Sequence, residues 1–197
     1  MTIFYRLENK LYINITNACP CDCVFCIRNL TDTVGDANTL WLPHEPSLTE
    51  IKKAFDARQD LHEVNEIVFC GYGEPMTRAD NVIEVTEYIK TKTSLPVRIN
   101  TNGLVELLHP SLDIAKLSVI DSISVSLNAD DALEYLRITR SSFGIESFDA
   151  LLDFVKEAKN YTAVTLTVME NLGTERIDNC KRIASEFGAT LRVRRFM

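Results

Sequence analysis

The chain has 197 residues, 46% of them hydrophobic and 25% charged, with only seven Gly and six Pro, a composition that fits one ordered domain over residues 1–197 and excludes extensive disorder. The formal net charge of -7 argues against an extended phosphate-binding surface and so against a nucleic-acid partner, and no window approaches the roughly 20 apolar residues that cross a bilayer. The first ten residues mix Arg6, Glu8 and Lys10 with apolar side chains rather than forming a charged-then-apolar leader, which points to the cytoplasm.

After a short lead, Leu11 to Thr16 alternates apolar and polar residues and predicts a strand. The stretch Cys19-Pro20-Cys21-Asp22-Cys23-Val24-Phe25-Cys26 leaves it, gathering four of the chain's six cysteines. Asn29 to Pro46 has no periodicity and reads as a long loop, of a length usually kept for function. Ser47 and Glu50 have the spacing of a capping box, and open a helix that runs through Ile51, Ala54, Phe55 and Arg58.

Glu66 to Gly71 predicts a second strand that enters the turn Tyr72-Gly73-Glu74-Pro75-Met76. A helix over about Asp80 to Thr91 follows, then a strand from Pro96 to Asn100 that ends at Thr101-Asn102-Gly103. A short helix near Leu112 to Leu117 precedes the strand Ser122 to Leu127. Asn128 to Asp131 opens a helical region interrupted near Ser141 to Gly144 and resumed at Ser147. Strand Ala163 to Val168, a helix over about Glu175 to Phe187 and strand Thr190 to Phe196 complete six strands joined by helical crossovers.

That order implies a parallel sheet with right-handed crossovers. Residues two apart on a strand share a face. One face collects Asn14, Thr16, Arg98, Asn100, Ser122, Ser124, Ser126, Asn128, Thr165, Thr167, Arg192 and Arg194, and the other Ile13, Ile15, Val97, Ile99, Ile123, Val125, Leu127, Val164, Leu166, Leu191 and Val193. The expectation is an α/β fold, an open partial (β/α)6 TIM-like barrel with six parallel strands around a polar lumen. Its site should lie at the carboxyl ends of the strands, where the cysteines, the Gly-Glu-Pro turn, Asn102, Ser126 and Asn128 fall.

Three thiolates at the spacing of Cys19, Cys23 and Cys26 can hold three irons of a cubane, and the fourth iron then lacks a protein ligand and is open to a chelator. Zinc, with Cys21 as a fourth ligand, is the structural rival, and a thiol redox role is a further alternative. Cys70 and Cys180 stand alone and read as small core residues. His44 reads as a loop histidine.

Cys19-x-x-x-Cys23-x-Phe25-Cys26 resembles the cluster motif of the radical S-adenosylmethionine (SAM) superfamily. Tyr72-Gly73-Glu74-Pro75 resembles its Gly-Gly-Glu-Pro turn, with Tyr72 in place of the first glycine. The resemblance covers nearly the whole chain. It implies a [4Fe-4S] cluster on Cys19, Cys23 and Cys26 whose open iron chelates the amino and carboxylate groups of SAM. It further implies that Tyr72, Gly73, Glu74 and Pro75 receive the methionyl ammonium, that Phe25 lies near the adenine, that Asn102 binds the cofactor, and that Ser126 and Asn128 serve its ribose or carboxylate.

Arg140 would pair with that carboxylate. Arg98, Arg192 or Arg194 would meet an anionic group of a small-molecule or protein substrate, and a flavodoxin or ferredoxin would supply the electron. Cys21 has no role in the general motif. The cluster loop together with Trp41-Leu-Pro-His-Glu-Pro46 also looks like the TatD-linked branch of the superfamily. The competing readings are a glycyl-radical-enzyme activase and a non-catalytic metal-binding module.

Overall fold

The structure, a computed structural model, describes residues 1–195. Seven strands follow the chain in sheet order, and the sheet is mostly parallel with β1 and β7 at its edges. The chain divides into two compact units. The first comprises Met1–Cys19, Cys26–Asn100 and Val119–Asp121, and the second comprises Pro20–Phe25, Thr101–Ser118 and the chain from Ser122 onward.

In the first unit, β1 (Phe4–Leu7) and β2 (Lys10–Ile13) form an antiparallel hairpin around Glu8, whose φ is 55°. The hairpin makes a seventh strand out of residues read as a lead. Tyr5 lies opposite Tyr12 and stacks on it at 5.1 Å, the cross-strand aromatic pair that favours such a ladder. Strand β2 ends at Ile13, three residues short of the expected Thr16. It pairs in parallel with β3 (Glu66–Phe69), which pairs in parallel with β4 (Val97–Thr101).

Ser47 caps α1 (Leu48–Asp56) in the full capping box, its hydroxyl accepting from the Glu50 N–H while the Glu50 carboxylate accepts from the Ser47 N–H at 2.8 Å. Those two bonds satisfy donors that the first helical turn otherwise leaves unpaired. Leu11, Ile13, Ile67, Phe69, Val97 and Ile99 are fully buried, as are Ile51 of α1 and Val82 and Ile89 of α2 (Ala79–Lys90).

The opposite face departs from the expected polar lumen. Tyr5, Ala37, Leu40 and Tyr72 form a buried cluster joined by Tyr12, Ile27 and Val34, so residues of the long loop cover this part of the sheet. Arg98 is not held ready for an anion either: its guanidinium forks onto Glu66 at 2.9 and 3.0 Å and also donates to Asn100. Bidentate pairing of this kind is the strong form of an Arg–carboxylate contact.

In the second unit, α3 (Val105–Leu108) is a single turn, and a 3-10 stretch at Ile114–Val119, which begins there, stands where the short helix was expected. Strands β5 (Ser122–Ser126), β6 (Ala163–Met169) and β7 (Thr190–Arg194) run parallel. Ile123, Val125 and Leu166 are buried, as are Leu151, Phe154 and Val155 of α5 (Ser147–Ala158) and Cys180 and Ala184 of α6 (Thr174–Glu186). Helix α4 (Ala132–Thr139) occupies the expected region before the interruption.

Leu191 and Val193 do not join the apolar core as their alternation suggested, since β7 is an edge strand and Val193 is 41% exposed. The expected continuation of that strand to Phe196 lies outside the described residues. Among the described residues no helix is long and apolar enough to cross a membrane.

Candidate functional site

The chain leaving β2 stays extended and buried through Asn14, Ile15 and Thr16. The Thr16 hydroxyl accepts from the Ala18 N–H at 2.9 Å, which bends the chain into the cysteine segment. The turn after β3 packs on this exit. Glu74 N–H donates to the Ala18 carbonyl at 2.8 Å, and Arg78 donates to the carbonyls of Ile15 and Pro46 at 2.7 and 2.9 Å.

A Cβ on Gly73 would lie 2.4 Å from the Thr16 carbonyl oxygen and 2.7 Å from that of Ala18. Only glycine lets two backbones approach so closely, so Gly73 is required by packing as well as by the motif. Glu74 is buried, and its Oε1 accepts from the Met76 N–H at 3.0 Å, capping the 3-10 turn Pro75–Arg78 with Pro75 at its first position. Proline is tolerated there because that N–H has no helical partner anyway.

Tyr72 does not line an open rim. It is 3% exposed, sits in the aromatic cluster, meets the Trp41 ring edge-on at 5.1 Å and donates its hydroxyl to the Thr31 carbonyl. Burial first, then the nearby charges of Asp32 and Cys26, push its hydroxyl pKa up. His44 pairs with Glu50 at 3.1 Å on the surface, in keeping with a loop histidine.

In the second unit, the segment Pro20–Phe25 is held by the end of α4. Asp22 N–H donates to the Thr139 carbonyl and Val24 N–H to that of Ile138, both at 2.9 Å, while Ser142 N–H donates to the Pro20 carbonyl at 2.9 Å. These are last-turn carbonyls that a helix cannot satisfy internally. Arg140 closes α4 in the left-handed region at φ 48°, and its guanidinium lies 3.5 Å from Asp22. That position usually takes glycine or asparagine.

Cys21 acquires a place here. It is 5% exposed, and the Asn102 amide nitrogen lies 3.8 Å from its sulfur, while Asn102 Oδ1 accepts from the Leu104 N–H at 3.0 Å. Asn102, expected to touch the cofactor, therefore braces Cys21 and caps the next turn. Cys19, Cys23 and Cys26 are each half-buried, and among the described residues no cysteine is in a disulfide. Cys180 is buried, with its thiol pushed up to about 12 by burial, as a core cysteine should be. Cys70 is only half-buried rather than core, and its carbonyl accepts from the Tyr5 hydroxyl at 3.2 Å.

After β5 lies Asn128, which the sequence placed at this rim, but its unpaired oxygen and the cavity it faces have no sequence signal. Asn128 has φ 60° and is 5% exposed, yet its Oδ1 has no hydrogen-bond partner among the described residues. It lines a cavity of about 310 Å³ together with Phe25, Ile138, Met169, Leu172 and Arg176. An unpaired buried acceptor costs on the order of 1–3 kcal/mol, and one at a cavity wall is a ready-made contact for a donor. Arg176 in the same wall is engaged by Asp130 and Asp131. Ser126 is half-buried, and Arg192 donates to the Ser124 hydroxyl at 3.1 Å.

Among the described residues no three His, Cys, Asp or Glu side chains gather as a single-ion site. A cubane takes each thiolate at a different iron, so its ligands need not converge on one point. Three half-buried thiols on one segment fit that donor set.

The family model described as the radical SAM superfamily matches residues 13–182. The chain belongs to this superfamily. It is thus an enzyme of the family whose cofactors are a [4Fe-4S] cluster and SAM. The chain is 28% identical over 193 residues to the probable dual-specificity RNA methyltransferases RlmN of Streptococcus gordonii and Streptococcus sanguinis, covering 93% of this chain and 52% of each relative. It spans about half the length of these curated relatives. Among solved structures, TYW1 with a lysine-pyruvate adduct superposes with a TM-score of 0.65 at 13% identity, covering 96% of this chain and 65% of that one. Native anSMEcpe with bound AdoMet superposes at 0.62 and 12% identity, covering 94% and 50%. These likenesses show the fold, an α/β partial barrel.

Proposed function

We propose that this protein is a radical SAM catalyst in which Cys19, Cys23 and Cys26 hold three irons of a [4Fe-4S] cluster and the segment from Tyr72 to Pro75 receives the methionyl ammonium. A [4Fe-4S] cluster held there would supply the one-electron reduction of bound SAM, and with it radical hydrogen abstraction from a substrate. The chain's residues position and shield that chemistry. One Glu74 oxygen is already committed to Met76, so the backbone of the turn shares the ammonium with it.

The observation that carries the reading is the partnerless Oδ1 of Asn128 in a cavity whose wall includes Phe25 of the cysteine segment. An acceptor matches a hydroxyl, so Asn128 takes a ribose OH rather than the carboxylate, and Phe25 lies along the adenine. Ser126 supports the ribose. Arg140, in an exposed ion pair with Asp22, is the group that turns to the carboxylate. A small one-electron carrier such as a flavodoxin or ferredoxin serves as donor, residues 1–197 act as one catalytic core, and the setting is the cytoplasm.

The streptococcal relatives are named as RNA methyltransferases, which makes a nucleic-acid substrate the second reading, against the expectation drawn from a net charge of -7. The TatD-linked placement rests on Cys19 to Cys26 and Trp41 to Pro46. Anaerobic reconstitution with iron and sulfide, reduction and assay for 5'-deoxyadenosine test the function. The wild-type protein should show cluster absorption and cleave SAM, and the Cys19→Ala, Cys23→Ala, Cys26→Ala triple variant should do neither. Bound zinc with no cleavage would favour the non-catalytic module, and hydrogen abstraction only from a large protein's glycine would favour the activase.

A further inference from the structure

The turn after β3 has two sides with opposite duties. A Cβ on Gly71 would lie 2.0 Å from Asn14 Oδ1, and Asn14 cannot swing aside because its amide donates to the carbonyls of Leu40 and Thr2 at 2.7 and 3.2 Å. Gly73 is pressed just as tightly on Thr16 and Ala18. Position 72, between them, sends its side chain into the cluster of Tyr5, Ala37 and Leu40.

That cluster is made largely by the segment that follows Cys26. Ile27 packs against it, the 3-10 turn Ile27–Asn29 closes with Asn29 N–H on the Cys26 carbonyl at 3.0 Å, and Thr31 N–H donates to the Ile27 carbonyl at 3.1 Å. The Tyr72 hydroxyl then takes the Thr31 carbonyl, and its ring meets Trp41. Tyr72 thus grips the loop at both of its ends, a few residues after Cys26 and again at Trp41. A glycine at position 72, the residue of the family motif, could make none of these contacts.

We propose that Tyr72 is a positioning residue that locks residues 27–42 to the turn ending at Glu74, and through Ile27 and Thr31 fixes Cys26. The link to catalysis rests on the reading above in assigning Cys26 to the cluster; the lock itself does not. The consequence is that the turn and the third cysteine form one rigid piece.

Amide hydrogen exchange on the unreconstituted full chain tests the lock. Tyr72→Gly should speed exchange of residues 27–42 by about tenfold or more while the β3 amides keep their protection, as expected when a local unit opens without global unfolding. Tyr72→Phe keeps the ring and should speed exchange only around Thr31. Unchanged exchange of 27–42 in Tyr72→Gly would overturn the proposal, as would equal loosening of 27–42 in Tyr72→Phe. If Tyr72→Gly fails to fold, Trp41→Ala stands in for it and must loosen 33–42 alone.

In reconstituted protein, Tyr72→Gly should bind the full complement of iron yet give an altered electron paramagnetic resonance spectrum of the reduced cluster, with Tyr72→Phe restoring the wild-type spectrum. An unaltered spectrum in Tyr72→Gly would sever the link to Cys26. Absence of any cluster in the wild-type protein would sink the radical SAM reading and leave the exchange result standing.

Discussion

The ends of β3, in the first unit, and of β5, in the second, are in different physical states. At the end of β3, the side-chain contacts described above for Tyr72 and Glu74 lie within the protein: Glu74 on Met76, Tyr72 on Thr31, Gly73 against Thr16 and Ala18. At the end of β5, Asn128 is buried in a left-handed backbone conformation with an acceptor that no described residue meets. The first end is preorganised by its own contacts. The second stores an unsatisfied group whose partner must come from outside, so changes at β3 should act on stability and changes at β5 on ligand affinity.

The largest expected effect is at Gly73. Gly73→Ala forces a methyl to within 2.4 Å of a backbone oxygen, and overpacking against backbone should cost about 1–3 kcal/mol, read as a lowered denaturation midpoint. A midpoint equal to wild type would show that the turn is not as tightly packed as described.

At the other end, Asn128→Gly removes the amide and tolerates the positive φ. Equilibrium binding to the reconstituted enzyme should show SAM affinity lowered about tenfold, or ~1.4 kcal/mol, with no loss of thermal stability. A destabilised protein with unchanged SAM affinity would reverse the comparison.

Ser47→Ala should cost about 1 kcal/mol in urea denaturation by removing the cap. The same site has a pH signature. Two hydrogen bonds from Ser47, the backbone N–H first, hold the Glu50 carboxyl down at about 2 against a usual 4.5. A depressed carboxyl stabilises the folded state above the unfolded pKa, so its contribution is complete above pH 4.5 and is lost as pH falls toward 2. Ser47→Ala keeps the backbone bond and removes only the hydroxyl's, so it should shallow the acid limb of the stability profile over that window without abolishing it.

The smallest effect belongs to Cys21. Cys21→Ala loses the contact with Asn102 but no cluster ligand, so it should cost under about 1 kcal/mol and leave 5'-deoxyadenosine formation near the wild-type rate. Loss of the cluster in this variant would make Cys21 a ligand.

Much of the fold was legible because it rests on local rules. Ser47 and Glu50 announced their capping box by spacing alone, and Ser122 to Ser126 showed its two faces by alternation. The hairpin strand Phe4–Leu7 escaped because its cue is the pairing of Tyr5 with Tyr12 across the turn, which no single run of residues displays. Arg98 was misread for a related reason: alternation gives the face a side chain is on, while the Glu66 that occupies it comes from the neighbouring strand.

By itself the sequence determined the superfamily and the alternation of six of the strands with helical segments, since motif spacing and periodicity are properties of the chain. Tertiary structure alone decided which polar groups are spent and which are waiting. It committed Asn102 to Cys21, Arg98 to Glu66 and Tyr72 to the loop, and it left Asn128 Oδ1 unpaired. Hydrogen-bond satisfaction is a relation between residues distant in sequence, and so it is settled only when the chain has folded.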